Sequence, residues 1–336
     1  MAVQPSDDEN PMPHAIRIHK TGGPDVLQWE EVAVPQPGPK DVLVRHKAVG
    51  LNYIDTYHRS GLYAVPMPSG LGTEAAGVIE AVGAEVSEFK VGDRVAYANG
   101  PLGAYSELKA HPADRLVKIP DGIGFEQAAS MMLQGLTVQY LMRRLHYVPK
   151  AGDTILWHAA AGGIGLIACQ WAKATGVNLI GTVSTEEKAA LARENGAAHT
   201  ILYTEEDFVA KVNEITGGKK VPVVYDSVGK DTFMKSLDCL QVRGLMVIFG
   251  NSSGPTPPFD VSVLNPKGSL YVTRPSLMGY VSKRDELLAS AKDLFDMVLS
   301  GKVKVGPRQS YALKDAARAH TDLEARRTTG STVLIP

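Results

Sequence analysis

The sequence predicts an α/β protein with two domains, a small β-barrel followed by a doubly wound parallel sheet. The chain has 336 residues with 44% hydrophobic content, which is enough to bury two ordinary cores. Residues 15 to about 120 contain short strand patterns punctuated by glycine, and beyond about residue 150 strand patterns alternate with segments of helical period. That alternation is typical of a parallel sheet with crossover helices.

The barrel strands are predicted from strand-like segments that begin at Val42, Ala75, Val91 and Arg115. A helical period then extends from Phe125 to about His146. Six strands of the parallel sheet are predicted at 153–158, 178–183, 199–203, 221–226, 244–250 and 269–273. A helix over 285–299 and further short elements complete the chain.

A glycine-rich turn follows the first strand of this sheet. Ala160-x-Gly162-x-x-Gly165 lies between strand 153–158 and a helical segment over 164–175. Such a turn lets the backbone approach a pyrophosphate, whose charge is stabilised by the helix N-terminus. We therefore expect a dinucleotide, with Gly162, Gly163 and Ile164 beside its phosphates; a tight turn without a ligand is the alternative.

The end of the second strand favours NADPH over NADH. An acid that binds the ribose 2′-hydroxyl is usual about 20 residues past the glycines, but Thr182-Val-Ser184 stands there. Ser184 to Glu187 predicts a capping box, in which Glu187 bonds to the helix start. Lys188 can then turn back to a 2′-phosphate, with Ser184 as a hydrogen-bond donor; a solvated helix lysine is the alternative.

The fourth strand ends beside the first in this topology, and the fifth strand ends in Phe249-Gly-Asn-Ser-Ser253. Their following loops should therefore line the nicotinamide side of the crevice, and the expected contacts are Ser227, Val228, Phe249, Asn251 and Ser252. Asn251 and Ser252 are also common turn formers, which is the alternative interpretation.

Composition limits the other classes of function that the protein could have. The net charge of −1 gives no electrostatic attraction to nucleic acid or to an anionic membrane. Residues 1–13 are polar and proline-rich and are expected to be disordered, without a signal pattern or a membrane span. Cys169 and Cys239 are interpreted as buried small side chains, which fits a reducing, cytoplasmic setting. The nine histidines lack metal-ligand spacing, and a Gly-x-Ser-x-Gly elbow is absent.

The segment from Gly152 to Lys173 resembles the signature of the quinone oxidoreductase/zeta-crystallin branch of the medium-chain dehydrogenase/reductase superfamily. The matching positions are Gly152-Asp153, Ala160, Gly163, Gly165, Gln170 and Lys173. The resemblance continues over nearly the whole chain, through segments 22–24, 52–57, 59–63, 72–74, 223–229 and 268–276. It implies a GroES-like catalytic barrel formed by 14–136 and 281–336, and a Rossmann NADPH-binding domain over 137–280.

The resemblance also adds residues to the expected site. Tyr203, at the end of the third strand, is implied to form a wall at the adenine side. The other cofactor contacts expected in this fold are Tyr53, Thr137, Leu277 and Arg326, and Gln134 is expected near the cofactor.

The resembled superfamily has metal-using members, but this chain lacks their zinc ligands. The positions of two thiolates and an imidazole are matched here by Asn52, Leu133 and Thr73. These side chains cannot replace the ligands of a tetrahedral zinc ion. No metal is therefore predicted.

Hydride transfer without a metal requires an electron-poor acceptor such as a quinone. The site must then orient the acceptor and supply a hydrogen-bond donor to the developing quinol oxygen. Tyr57 is the first candidate for the donor, with Asn52 polarising the acceptor and Tyr63 forming the pocket wall. Packing of the tyrosines on the barrel surface is the alternative.

The function predicted is a zinc-independent, NADPH-dependent quinone reductase. An NADPH-dependent reductase of enone or alkenal double bonds is the alternative within enzymes. An NADPH-binding protein for AU-rich RNA is the alternative outside them, and the neutral charge does not favour it. A homodimer is expected through edge strand 268–273, with Leu270 and Val272 in the interface, unless the chain's own loop covers that edge.

Overall fold

The computed structural model describes residues 12–336, and its first part is a β-rich domain. Its elements are β1 (His14–Ile18), β2 (Gln28–Glu31), β3 (Asp41–Leu51), α1 (Tyr53–Ser60), β4 (Ser69–Gly70), β5 (Glu74–Val82), β6 (Arg94–Tyr97), β7 (Leu108–Pro112) and β8 (Val117–Lys118). Two helices follow, α2 (Phe125–Ala129) and α3 (Met132–Arg143). The single helical segment predicted from Phe125 to His146 is therefore interrupted at Ser130 and Met131.

The second part is a six-stranded parallel sheet with its crossover helices. Its elements are β9 (Thr154–Trp157), α4 (Gly163–Thr175), β10 (Asn178–Val183), α5 (Glu186–Glu194), β11 (His199–Leu202), α6 (Phe208–Ile215), β12 (Val221–Asp226), α7 (Phe233–Ser236), β13 (Leu240–Ile248) and β14 (Tyr271–Thr273). The strand order is β11-β10-β9-β12-β13-β14, with every neighbouring pair parallel. This is the predicted doubly wound sheet, whose ligand crevice lies between the carboxyl ends of β9 and β12.

The last part of the chain returns to the first domain. Its elements are α8 (Leu277–Tyr280), α9 (Arg284–Leu299), β15 (Pro307–Ala312), α10 (Ala316–Glu324) and β16 (Ser331–Ile335). Strand β16 pairs with β3, which gives a sheet in the order β15-β16-β3-β5-β6-β8 with β7 also paired to β3. A smaller sheet, β2-β1-β4, completes the barrel.

Three clusters of buried apolar side chains hold these layers together. One fills the barrel, and the other two lie on opposite faces of the parallel sheet. In β9, Ile155 and Trp157 belong to the cluster that includes α3, α4 and α9, whereas Leu156 belongs to the cluster on the other face. Because side chains alternate along a strand, β9 is buried on both sides, as expected for the centre of a parallel sheet.

The predicted domain boundaries can be compared with these elements. The boundary at 136/137 falls inside α3, which runs without interruption from one domain to the other. The division therefore stays a prediction.

Most of the tail predicted to be disordered lies outside the described residues, but Pro13 is buried and its carbonyl accepts the Val32 N–H at 2.8 Å. Within residues 12–336, none of the helices combines the length and the apolar character that a bilayer span requires.

Candidate active site

The glycine-rich turn brings the N-terminus of α4 to the switch point of the parallel sheet. Gly162 is the N-cap, no side chain caps the helix, and its first turn has no acidic residue. A Cβ on Gly165 would lie 2.4 Å from the carbonyl oxygen of Ala159, so only glycine lets α4 pack this closely on the turn. The positive end of the helix dipole thus stays available to an anion, which fits the pyrophosphate of a dinucleotide. Gly163 and Ile164 begin this helix, where the sequence predicts them.

The start of α5 corrects one prediction. Its N-cap is Thr185, whose hydroxyl accepts the Lys188 N–H at 3.3 Å. The predicted capping box of Ser184 with Glu187 is wrong, because the helix begins one residue later and Lys188 takes the third helical position. The Ser184 side chain is consequently free of capping and lies 3.4 Å from Lys188 Nζ.

Four of the predicted cofactor residues converge beyond the ends of β10 and β11. Lys188 Nζ donates to the carbonyl oxygen of Arg326 at 3.2 Å, and Arg326 Nη1 donates to the Tyr203 hydroxyl at 3.3 Å. Tyr203 is 40% exposed, so its ring is open to a ligand. Lys188 beside the Ser184 hydroxyl and Arg326 beside the Tyr203 hydroxyl form an arrangement that suits a phosphate group.

Three tyrosines reach across the crevice to the loop after β13. The Tyr57 hydroxyl accepts the Asn251 N–H at 2.8 Å, and the Tyr63 hydroxyl accepts Asn251 Nδ2 at 3.1 Å. Tyr53 donates to the Ser252 carbonyl at 3.4 Å. Because Tyr57 accepts the backbone N–H, its own proton is left for another acceptor. Burial raises the pKa of Tyr57 well above its usual value, so the hydroxyl keeps that proton at neutral pH.

Arg274 belongs to this group, although the sequence analysis did not select it. Its Nη2 donates to the Tyr63 hydroxyl at 3.1 Å. Arg274 follows β14, the edge strand, and the sequence places no binding motif around it. Its role depends on how the first domain packs on the sheet, which no local pattern reports.

The positions that resemble metal-ligand positions meet at a buried carboxyl group. Asn52 Nδ2 donates to Glu74 Oε2 at 2.5 Å, and the Leu133 N–H donates to Glu74 Oε1 at 2.8 Å. Burial raises the pKa of Glu74 to about 8, so the carboxyl group is mostly protonated at neutral pH. Gln134 Nε2 donates to Asn52 Oδ1 at 3.2 Å, so both ends of the Asn52 amide are engaged. Glu74 is a second residue of the site that the sequence analysis did not select.

The remaining predicted cofactor residues lie at strand ends and on the connecting helices. Ser227 and Val228 follow β12, and the Ser227 carbonyl accepts the Ser252 N–H at 3.1 Å. Phe249 follows β13 directly, and its N–H donates to the Asp226 carbonyl at 2.8 Å. The two that lie on helices are both buried, Thr137 within α3 and Leu277 at the start of α8.

The ends of all six parallel strands therefore contribute to one crevice, together with α1 and the turn after α10. In the part of the chain that the structure describes, no three or more His, Cys, Asp or Glu side chains are grouped as a metal site.

Comparisons with known proteins agree with this architecture. Residues 38–121 match the profile of the alcohol dehydrogenase GroES-like domain, and residues 163–294 match that of the zinc-binding dehydrogenases. A quinone oxidoreductase of Pseudomonas aeruginosa is 58% identical over 97% of this chain and 100% of its own length. A 2-haloacrylate reductase of a Burkholderia species is 48% identical over 96% of this chain and 98% of its own.

A solved structure gives the same result for the fold. The crystal structure of Escherichia coli quinone oxidoreductase complexed with NADPH is 56% identical in sequence and superposes with a TM-score of 0.94, covering 96% of this chain and 100% of that one. The chain therefore belongs to the quinone oxidoreductases of the zinc-free branch of the medium-chain dehydrogenase/reductase superfamily.

Proposed function

We propose that this protein reduces quinones by hydride transfer from NADPH, without a metal ion. The observation that carries the proposal is the Tyr57 hydroxyl, which accepts the Asn251 N–H at 2.8 Å and so keeps its own proton available as a hydrogen-bond donor. Relatives named quinone oxidoreductase at 56–58% identity support the same activity.

The described residues fit NADPH. The N-terminus of α4 would hold the pyrophosphate, and the group around Lys188 and Arg326 would hold the 2′-phosphate. The loops after β12 and β13 would face the nicotinamide. When bound, NADPH supplies the hydride; the chain must orient the acceptor and provide one proton for each quinone reduced to a quinol.

Tyr57 is the residue we assign as hydrogen-bond donor to the acceptor oxygen. A quinone oxygen that gains negative charge during hydride transfer is stabilised by a donor already in place, because no reorientation is then needed. The Asn251 N–H bond fixes the phenol oxygen and increases the acidity of its O–H. Tyr63, bonded to Asn251 and Arg274, would form the wall of the acceptor pocket.

Asn52 has a positioning role in this proposal. Its amide bridges Glu74 and Gln134, which leaves one N–H of Nδ2 for an acceptor. Asn52, Thr73 and Leu133, at the positions that match the metal ligands, supply neither a thiolate nor an imidazole. Chelator treatment should therefore leave the activity unchanged, and tightly bound zinc near one ion per chain would contradict the proposal.

The activity is tested by anaerobic NADPH oxidation with a panel of 1,4-quinones. We expect saturable oxidation, with quinol formed in equal amount to NADP⁺. Absence of oxidation with every quinone, while NADPH still binds, would contradict quinone reduction.

Reduction of activated carbon–carbon double bonds is the second candidate. It is favoured by the 48% identity to a 2-haloacrylate reductase. When the hydride adds to the β-carbon, the same donor would face the α-carbon or the oxygen of the conjugated carbonyl group, which takes up the proton. A 2-haloacrylate and an enone in the same assay separate the two activities by their kcat/KM values relative to a quinone.

We further propose that the protein is cytoplasmic and has the two-domain division given above. We also propose that it forms a homodimer through β14. Leu270 is already buried within its own chain and Val272 is partly buried, whereas Tyr271 is 50% exposed. Tyr271 therefore replaces Leu270 as the side chain that a partner strand would cover. Val272→Pro should give a folded monomer in sedimentation, and an unchanged dimer would place the interface elsewhere. Cys169 and Cys239, both buried and unpaired, suit a reducing compartment.

A further inference from the structure

The C-terminal end of α10 has an unusual backbone conformation. The chain leaves the helix through Arg326 at φ +59°. The Arg326 N–H donates to the Leu323 carbonyl and the Arg327 N–H to the Asp322 carbonyl, both at 3.0 Å. This pair of bonds forms a Schellman helix end, whose left-handed position is usually occupied by glycine. An arginine there is strained, and the surrounding contacts must hold the turn in place.

This turn contains one of the residues proposed to bind the 2′-phosphate and contacts another. Its carbonyl oxygen accepts Lys188 Nζ at 3.2 Å, and the Arg326 guanidinium lies 3.3 Å from the Tyr203 hydroxyl. Both cations therefore depend on the conformation of one strained residue.

Arg59, at the far end of α1, holds the helix directly before this turn. Its guanidinium is 2% exposed and donates to both carboxylate oxygens of Glu324, from Nη1 at 2.9 Å and from Nη2 at 2.7 Å. Its Nε donates to the Gly22 carbonyl at 3.1 Å. A bidentate pair of this kind fixes orientation as well as distance. Glu324 is the last residue of α10, two positions before Arg326.

A chain of hydrogen bonds continues from Arg59 to the start of α1. Arg59 Nη1 donates to His320 Nδ1 at 3.0 Å, and burial together with the Arg59 charge lowers the pKa of His320 to about 3. His320 is therefore neutral, with its proton on Nε2, which faces the Tyr105 hydroxyl at 3.1 Å. Tyr105 donates to Asp55 at 2.8 Å, and the same Asp55 oxygen accepts the Asn52 N–H at 2.9 Å. Both ends of α1 are thus connected to α10.

Tyr53 shows that α1 and the turn share one environment. Burial raises the pKa of Tyr53, the Glu324 charge raises it further, and the Arg326 and Arg59 charges oppose that rise.

We propose that Arg59 and Glu324 are positioning residues that set the preference for NADPH over NADH, by holding the turn that presents Arg326 and Lys188. The proposal rests on the proposed function, in which those two cations bind the 2′-phosphate. Neither Arg59 nor Glu324 needs to touch the cofactor, because the ion pair acts through the backbone of residues 325 and 326.

The test measures dissociation constants for NADPH and NADH by fluorescence titration, without substrate. Glu324→Gln keeps the shape of the side chain and removes its charge. We expect NADPH binding about 10-fold weaker and NADH binding changed less than about 2-fold, in the usual range of coupling between sites. The matched control is Glu80→Gln, because Glu80 also forms a bidentate pair, with Arg45, and is 36% exposed like Glu324. The control should leave both constants unchanged.

A double-mutant cycle separates positioning from a general loss of structure. In an Arg326→Ala background, Glu324→Gln should weaken NADPH binding less than it does in the wild type, because the Arg326 guanidinium is gone and only the contact of the turn with Lys188 remains. Additive losses, or equal losses for NADPH and NADH, would overturn the proposal. If Glu324→Gln does not fold, Arg59→Lys is the second variant, since lysine keeps the charge but cannot bond to both oxygens in a fixed plane. Arg59→Lys should lower the NADPH preference in the same way, and an unchanged preference would overturn the proposal.

The wild-type protein distinguishes this inference from the proposed function. A wild type that binds NADPH and NADH equally well would overturn both. If the wild type prefers NADPH, Arg326→Ala loses that preference and Glu324→Gln keeps it, only the positioning role would be overturned.

Discussion

The two ends of the crevice are built in different ways. At the phosphate end, Ser184, Lys188 and Tyr203 follow adjacent strands, β10 and β11, and lie within 20 residues of one another in sequence. At the acceptor end, Tyr57 and Tyr63 contact Asn251 across 194 and 188 residues. The parallel sheet supplies these three residues of the phosphate end, and Arg326 joins them from the turn after α10. The acceptor end exists only when the two domains pack together.

This difference decides which substitutions should affect which step. Changes at the phosphate end should alter cofactor affinity and leave the chemical step intact. Changes at the acceptor end should alter turnover and leave cofactor affinity nearly constant. Two substitutions test this separation, and a third tests the buried carboxyl group next to Asn52.

Tyr57→Phe should have the largest effect. It keeps the ring and removes the hydroxyl, so kcat for quinone reduction should fall roughly 10- to 100-fold, while the dissociation constant for NADPH should change little. Stopped-flow kinetics together with a fluorescence titration measure both quantities.

Tyr63→Phe is the matched control for this prediction. It removes a hydroxyl that also contacts Asn251 but is assigned to the pocket wall, so turnover should fall less. Normal turnover by Tyr57→Phe would show that orientation of the quinone over the cofactor is sufficient for the reaction and that Tyr57 only lines the acceptor pocket.

Lys188→Ala should have an intermediate effect, confined to one cofactor. Loss of the charge should weaken NADPH binding by about 1 to 2 kcal/mol and leave NADH binding nearly unchanged, because NADH lacks the 2′-phosphate. Calorimetric titration with both cofactors measures the difference. Equal losses would show that Lys188 does not contact the phosphate.

Glu74→Gln should have the smallest effect on turnover and on cofactor affinity, and it should change the pH dependence of stability. The folded-state pKa of Glu74, about 8, is above the unfolded value, so its contribution to stability is complete below about pH 4.5 and is lost as the pH rises toward 8. Glutamine cannot ionise. The wild type should therefore lose about 3 kcal/mol more unfolding free energy than the variant between pH 5 and pH 7.5.

Urea denaturation at several pH values measures this difference. Glu80→Gln, which removes a more exposed carboxylate from the same strand, controls for the loss of an acid in general. Parallel pH profiles for wild type and Glu74→Gln would show that Glu74 ionises normally.

The sequence predicted the parallel sheet well because its information is local. Each strand is a short apolar run, and the glycine turn lies between a strand and a helix, so strand order and crevice position follow from general rules of topology. The family resemblance supplied residues that lie far from the turn in sequence, such as Arg326. The capping prediction failed because Ser184 and Thr185 are both good N-cap residues, and only the backbone direction after β10 selects Thr185.

Residues that act through tertiary contacts were not predictable in this way. Glu74 is an ordinary strand residue in the sequence, and its role depends on burial between Asn52 and Leu133. Arg274 and Glu324 look like surface charges until the domain packing brings them to Tyr63 and Arg59.

The left-handed residue at the end of α10 also has a consequence for how this protein can change. Glycine adopts that conformation without steric cost, so Arg326→Gly is the replacement that screening for heat resistance would favour. The same replacement removes one of the two cations assigned to the 2′-phosphate. A population selected only for thermal stability should therefore acquire glycine at position 326 and lose its discrimination between the two nicotinamide cofactors.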